Sequence, residues 1–157
     1  MPLIHITLTP GAFDDAGRHR LAQGLTAAAL KAESIPDEPG PKSRGLVLVQ
    51  ELAAGHFYSA GEPADGAVRG VFATLQVSAG VLDAARKAQL AADVQAAAEA
   101  AAPDRSRPVM TSLVVAEVPE GQWCQSGRVM RLPEMASIAR FGHLTGKLAP
   151  VGAGGGA

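Results

Sequence analysis

The chain has 157 residues, 47% of them hydrophobic but only 4% aromatic, and a formal net charge of -1. That charge leaves no basic footprint for nucleic acid, and no run of about 18 apolar residues exists to span a bilayer; neither partner is indicated. A single cysteine, Cys124, excludes an intrachain disulfide.

Residues Pro2 to Thr9 alternate Leu3-Ile4-His5-Ile6-Thr7-Leu8, with β-branched residues through the run, and predict a strand that Pro10-Gly11 stops. From Asp14 to about Glu33 the residues favour a helix. Asp14 and Asp15 are placed to cap its amino end, and Leu21, Leu25, Ala28 and Ala29 form one apolar stripe. The segment from Ser34 to Ser43, rich in proline, reads as a loop, and Leu46-Val47-Leu48-Val49 as a short apolar strand. Strand, helix and strand in this order make a βαβ unit whose two strands can lie parallel. A Gly/Pro/Ala-rich linker, Glu62 to Gly70, leads to the same series again: strand Val71 to Val77, alanine-rich helix from about Leu82 to Ala102, breaker Pro103 to Pro108, strand Val109 to Val118. From Pro133 the pattern weakens, and Gly152 to Ala157 is too glycine-rich to order itself.

The two series are copies. Leu3 to Glu33 aligns without a gap on Phe72 to Ala102, matching Gly11 with Gly80, Asp14 with Asp83 and Leu21 with Leu90. Further on, Gly55-His56-Phe57-Tyr58-Ser59-Ala60-Gly61, led by Glu51, matches Gly121-Gln122-Trp123-Cys124-Gln125-Ser126-Gly127, led by Glu117. The chain is thus a duplicated unit, 1–66 and 67–132, with a carboxy-terminal extension over 133–157 and one shared core. The expected fold is α/β, a four-stranded mixed sheet with two helices on one face. A core of Ala, Val and Leu packs in shallow layers and points to support from oligomerisation.

Only one copy begins with proline. Once an initiator methionine is removed, Pro2 is a secondary amine at the chain terminus and can act as a base near neutral pH where burial or nearby cations lower its pKa. The matching residue of the second copy, Val71, has no such group.

Pro2 with an alternating strand, then Gly11 and a helix, then an apolar strand ending Glu51-Leu52-Ala53-Ala54-Gly55-His56-Phe57, resembles the 4-oxalocrotonate tautomerase family. The tandem copy with proline in the first half alone resembles fused members of the tautomerase superfamily, such as the cis-3-chloroacrylic acid dehalogenase group. The resemblance implies a tautomerase/MIF-like β-α-β fold and a cofactor-independent isomerase. In it the neutral Pro2 amine would move a proton between the enol oxygen and the carbon of a small enolisable 2-oxo or 2-hydroxy acid. It implies a small carboxylic acid as substrate, no cofactor and no metal, an active-site aromatic at Phe57, and a homotrimer. The amino terminus lacks the basic-then-apolar order of a secretory signal, so a cytoplasmic location is expected.

The chain departs from the family at its carboxylate-binding arginines. Their positions fall at Ala12 and Leu46, and at Val81 and Ser112 in the second copy. Arg44, two residues before Leu46 and on the same strand face, is the candidate replacement, since an arginine offers a two-pronged grip on a carboxylate. The dehalogenase group's helix histidine falls at Ala29, its arginine pair is missing from Ser78 to Leu82, and its water-activating glutamate falls at Gln125, which disfavours dehalogenation and hydration. Trp123 occupies the place of Phe57 in the second copy and is a candidate wall of the site. Arg128, with Arg69 and Arg131, is a candidate carboxylate binder. His5 reads as a strand-surface or intersubunit residue and His56 as structural, Cys124 has no basic neighbour to activate it, and no His, Cys or acidic group has metal-ligand spacing. A member that has lost catalysis and serves as an assembly or small-ligand-binding module is the alternative reading.

Overall fold

The computed structural model describes residues 2–144. Met1 and the glycine-rich run 152–157, expected to lack order, lie outside the described residues.

The first unit consists of β1 (Leu3–Leu8), α1 (Asp15–Ala32), a short α2 (Pro39–Lys42), β2 (Leu46–Glu51) and a hairpin of β3 (Tyr58–Ser59) and β4 (Glu62–Pro63). The second consists of β5 (Arg69–Ser78), α3 (Ala84–Ala101), β6 (Val109–Val118) and a hairpin of β7 (Cys124–Gln125) and β8 (Arg128–Val129); α4 (Leu132–Ala139) follows. The sheet runs β2-β1-β5-β6. Each unit's own two strands are parallel, and the units join through antiparallel pairing of β1 with β5, Leu3 opposite Gln76 and Leu8 opposite Val71. This is the expected mixed four-stranded sheet, in which two crossovers put both helices on one face.

That face carries the core. Ile4, Ile6 and Leu8 of β1 and Val71, Ala73, Leu75 and Val77 of β5 are buried against Leu21 and Leu25 of α1 and Leu90 and Val94 of α3. Each fully buried leucine of this set contributes about 2 kcal/mol. The helices touch closely where Gly24 meets Ala97: a Cβ on Gly24 would stand 2.7 Å from the Ala97 Cβ. The opposite face is open, with Leu46, Leu48, Met110 and Val114 each 40 to 57% exposed.

The duplication holds at the level of single interactions. Asp14 and Asp83 each accept from a backbone N–H three residues on, Gly17 at 2.6 Å and Arg86 at 2.8 Å. Such a cap satisfies one of the donors a helix start leaves unpaired. Glu51 at the end of β2 binds Arg18 of α1 at 2.9 Å, and Glu117 at the end of β6 binds Lys87 of α3 at 2.9 Å. Both hairpins turn on two residues of positive φ, Ala60-Gly61 and Ser126-Gly127. That is the geometry in which the turn's twist matches the strands' twist.

Three expectations need correction. The loop 34–43 contains the turn of helix α2, started by Pro39, whose fixed φ suits a first helical position. The linker Glu62 to Gly70 is partly strand, since β4 pairs with β3 and β5 already begins at Arg69. Past Pro133 the pattern weakens in sequence, yet α4 forms there and buries Met135 and Ala139, with Phe141 behind them.

Candidate active site

Pro2 stands at the foot of β1. It is buried, and its carbonyl accepts a hydrogen bond from the Leu46 N–H at 3.1 Å, which fixes the start of β1 against the start of β2. A cavity of about 180 Å3 opens beside it, lined by Pro2, Leu3, Arg44, Leu46, Trp123 and Gln125. Three of the sequence candidates, Pro2, Arg44 and Trp123, therefore meet in one place. Arg44 reaches it because the turn Pro41-Lys42-Ser43 closes by backbone bonds, Arg44 N to Pro41 O at 3.1 Å and Gly45 N to Lys42 O at 3.1 Å, and delivers the chain into β2 from the side of Pro2. Trp123 reaches it from the second unit. Met130 N donates to Trp123 O at 2.7 Å, closing the β7–β8 hairpin that carries the indole back across β1's amino end.

The other candidates lie elsewhere. Phe57 is at the far end of the sheet, where its ring packs on Phe72 with centroids 5.9 Å apart. Since β2 ends opposite Leu8, the length of β1, roughly 20 Å for six residues, separates Phe57 from the Pro2 cavity within the chain. The aromatic residue at Pro2 is the second unit's, and the first unit's aromatic sits at the start of the second. Arg128 is exposed on β8, opposite Gln125 in the hairpin, and no contact places it in the cavity. Arg69 is 3% exposed and held at the far end, donating to Ala12 O at 2.7 Å and pairing with Asp104 at 2.6 Å. Ser106 and then Arg69 hold the Asp104 carboxyl well below the usual carboxylate range. Arg131 begins α4, where its N–H donates to Glu134 at 2.9 Å. His5, His56 and Cys124 are exposed.

Of the positions where carboxylate-binding arginines were sought, Ala12 is fully buried and Leu46 is half exposed at the cavity. An arginine in place of Ala12 would have to be accommodated in the core, so the cation available to this cavity is Arg44.

One group at this end of the molecule escaped sequence reasoning. Glu33, the residue that ends α1, is fully buried, and burial pushes its carboxyl from 4.5 up to about 7. A signal was present: an acid in the last turn of a helix opposes the helix dipole, and such a placement calls for a local reason. A larger cleft of about 730 Å3 lies along α1, between Gln23, Thr26, Leu30 and Val47, and includes none of the candidates. Among the described residues no cluster of His, Cys, Asp and Glu could hold a metal, and no helix is long and apolar enough to cross a membrane.

No family model matches the chain, and no curated protein matches its sequence. Solved structures do. The R7 fused 4-OT wild type asymmetric trimer superposes with a TM-score of 0.65 at 20% identity, over 81% of this chain and 94% of that one. N1, a member of the cis-3-chloroacrylic acid dehalogenase family, gives 0.62 at 18% identity over 82% of each chain. The chain has the tautomerase fold, two units fused in one polypeptide. Another structure of this fold, Pt0534 inactivated by 2-oxo-3-pentynoate, gives 0.63 at 17% identity over 81% of this chain and 94% of that one. Within the tautomerase fold the position of Pro2 acquires its meaning from the strand order. With β1 inside the sheet and flanked by β2 and β5, the residue just before it, Pro2, is enclosed by residues of both units.

Proposed function

We propose that this chain is a cofactor-independent tautomerase of the superfamily whose fold it shares, with Pro2 as general base, acting on a small enolisable 2-oxo or 2-hydroxy acid. The observation that carries the reading is the meeting of Pro2, Arg44 and Trp123 around one small cavity. Arg44 binds the substrate carboxylate. The neutral Pro2 nitrogen takes the proton of the enol hydroxyl as the C=O forms, and the resulting ammonium gives that proton to the adjacent carbon, so the amine is regenerated. Leu3, Leu46 and Trp123 present apolar surface that favours an uncharged amine over an ammonium, because desolvation penalises the charged form. One cation at the cavity suits a substrate with a single carboxylate and an apolar body.

The cavity is smaller than the several hundred Å3 of most ligand sites. Together with the open apolar sheet face this supports assembly into a homotrimer that completes the site, as the R7 fused 4-OT is itself a trimer. Arg128 and Phe57, exposed or remote within one chain, are then available to a neighbouring copy. A cytoplasmic location agrees with the reading.

The test is ketonisation of a phenylpyruvate-type enol: Pro2→Ala abolishes it if Pro2 is the base, and an unchanged rate removes the idea. The second reading, a binding module without turnover, is favoured by Ala12 and Leu46 standing where arginines were sought. It predicts no turnover on enol acids and an ordinary terminal amine.

A further inference from the structure

The cavity beside Pro2 has one polar lining group that the proton transfer above leaves unused, the carboxamide of Gln125. The second unit's hairpin sets its approach. Trp123, Cys124 and Gln125 run in extended order into β7, so successive side chains point to opposite faces: Trp123 and Gln125 are half-buried and line the cavity, while Cys124 between them is exposed. Pairing of Gln125 with Arg128, across the turn that Ser126 and Gly127 make at positive φ, holds the backbone in that register. The duplication supplies a comparison. Ser59 is the residue of the first hairpin that matches Gln125; it is short and exposed, and the leading strand at that end has Val71 in the place of Pro2. The amide thus stands at the end of the sheet that carries Pro2, and its counterpart at the other end has lost it.

Among the described residues the Gln125 carboxamide makes no hydrogen bond, and neither does the Arg44 guanidinium. A half-buried amide left without a protein partner has its donors free for a ligand or for water. The rest of the lining is Leu3, Leu46, the Pro2 ring and the Trp123 indole. With Arg44 on the substrate carboxylate, the oxygen on the next carbon, C2, is the atom from which Pro2 takes the proton, and it shares the same small cavity. Gln125 offers that oxygen two N–H donors without a charge of its own. Neutrality matters here, because a carboxylate in the same place would favour the ammonium form of Pro2 and take the base out of action.

We propose that Gln125 is a catalytic residue of this site, whose side-chain N–H donates to the C2 oxygen of the substrate and stabilises the negative charge that develops there while the proton is on Pro2. This deepens the reading of Pro2 as general base and rests on it. As Pro2 takes the enol proton, the O–H bonding pair stays on the oxygen and forms the second bond of the C=O, while the C=C pair takes the proton back from the ammonium at carbon. Between the two transfers the oxygen carries the charge, and the hydrogen bond from Gln125 is then at its strongest. The carboxamide keeps both of its protons throughout. An interaction that strengthens toward the transition state raises kcat more than it tightens binding. The charged groups on this side of the molecule are Arg44 in the cavity and Arg128, exposed and opposite Gln125 in the hairpin; neither competes with Gln125 as an acceptor. The assignment also defines specificity, since an acid without an oxygen on C2 forgoes this contact.

The experiment reads binding and turnover separately. Benzoylformate and phenylacetate are acids of similar size that do not turn over; the first has an oxygen on C2 and no hydrogen to enolise, and the second has no oxygen there. In calorimetric titrations Gln125→Leu should lower the preference for benzoylformate over phenylacetate by about fivefold, with phenylacetate affinity unchanged. Trp123→Phe, which keeps a ring and removes the other neutral N–H of the cavity, should keep the preference. In turnover of a phenylpyruvate-type enol, Gln125→Leu should lower kcat by about ten- to a hundredfold with KM within about threefold of native. Gln125→Glu should lower kcat as far and also move the acidic limb of kcat/KM to higher pH, as a carboxylate beside the Pro2 amine requires. A native kcat in Gln125→Leu, or equal loss of affinity for the two acids, overturns the proposal while leaving Pro2 as base. Turnover that persists in Pro2→Ala overturns the base reading, and the calorimetric preference still reports on Gln125. A measurement on the native chain needs no variant to fold: with glutamine labelled by nitrogen-15, the side-chain amide of Gln125 should shift on saturation with benzoylformate and not with phenylacetate, and equal shifts or none overturn the proposal.

Discussion

Trp123 of the second unit and Pro2 of the first line the same cavity, while Phe57 of the first unit packs on Phe72 of the second. Each unit thus sends its hairpin aromatic to the other's leading strand, and only one of the two ends so enclosed has a residue that can become a free amine. Trp123→Ala should lower kcat/KM roughly tenfold or more through lost packing on the substrate and a wetter amine, with a near-native circular dichroism spectrum. Phe57→Ala, which removes a half-buried ring packed on Phe72, should act chiefly on stability, lowering it by about 1 kcal/mol in a denaturant titration.

Arg44 is the cation of the Pro2 cavity. Arg44→Gln should raise KM by about ten- to a hundredfold with a smaller change in kcat, the pattern of lost ground-state binding. Arg44→Lys should recover only part, because an ammonium lacks the planar two-donor fork. Steady-state kinetics on a monocarboxylate enol reads both.

Glu33 gives stability a pH dependence of definite sign. Its folded-state value, about 7, lies above the ordinary 4.5. The native chain therefore holds a proton there that the unfolded chain releases between these values. Its contribution is fully present below pH 4.5 and is lost as pH rises through 7, a loss of at most about 3 kcal/mol. Urea titrations across this window should show native stability falling with pH relative to Glu33→Gln, and parallel curves for the two proteins would contradict the assignment.

The close approach of α1 and α3 at Gly24 leaves no room for a methyl group, since it would fall 2.7 Å from the Ala97 Cβ. Gly24→Ala improves helix propensity but overpacks this contact. The expected net result is a loss of about 1 to 2 kcal/mol, read as a lower urea midpoint. Gly24→Ala with Ala97→Gly should recover most of it.

If the open sheet face is the assembly surface, a charge in its middle should dissolve the assembly. Val114, 57% exposed on β6, is the test position. Val114→Lys should elute as a single chain in light-scattering chromatography, and with the assembly should go any part of the site that neighbouring copies complete.

Much of this was legible in the chain because duplication prints the same local physics twice. Asp14 and Asp83 announce helix starts, Gly11 and Gly80 the turns before them, and Glu51 and Glu117 prove to be anchors: Glu51 accepts from Gly11 N at 2.8 Å as well as binding Arg18. Pro2 and Arg44 could be named since both follow from position along one strand pair. The exchange of Phe57 for Trp123 could not, because which hairpin meets which strand is decided by the antiparallel joining of β1 and β5, a contact between distant segments. α4 was missed for a similar reason. Its eight residues offer too short a period to recognise, and the helix is held by burial of Met135 and Ala139 more than by its own propensity.

The most direct measurement is intact mass and peptide mapping of the protein after treatment with 2-oxo-3-pentynoate, the reagent that inactivates the similarly folded Pt0534. A nucleophilic, unprotonated terminal amine adds across the activated triple bond. The account predicts a chain lacking Met1, a single adduct mapped to Pro2, and loss of activity in step with labelling. A chain that retains Met1, or one that remains unlabelled and active at Pro2, would contradict it.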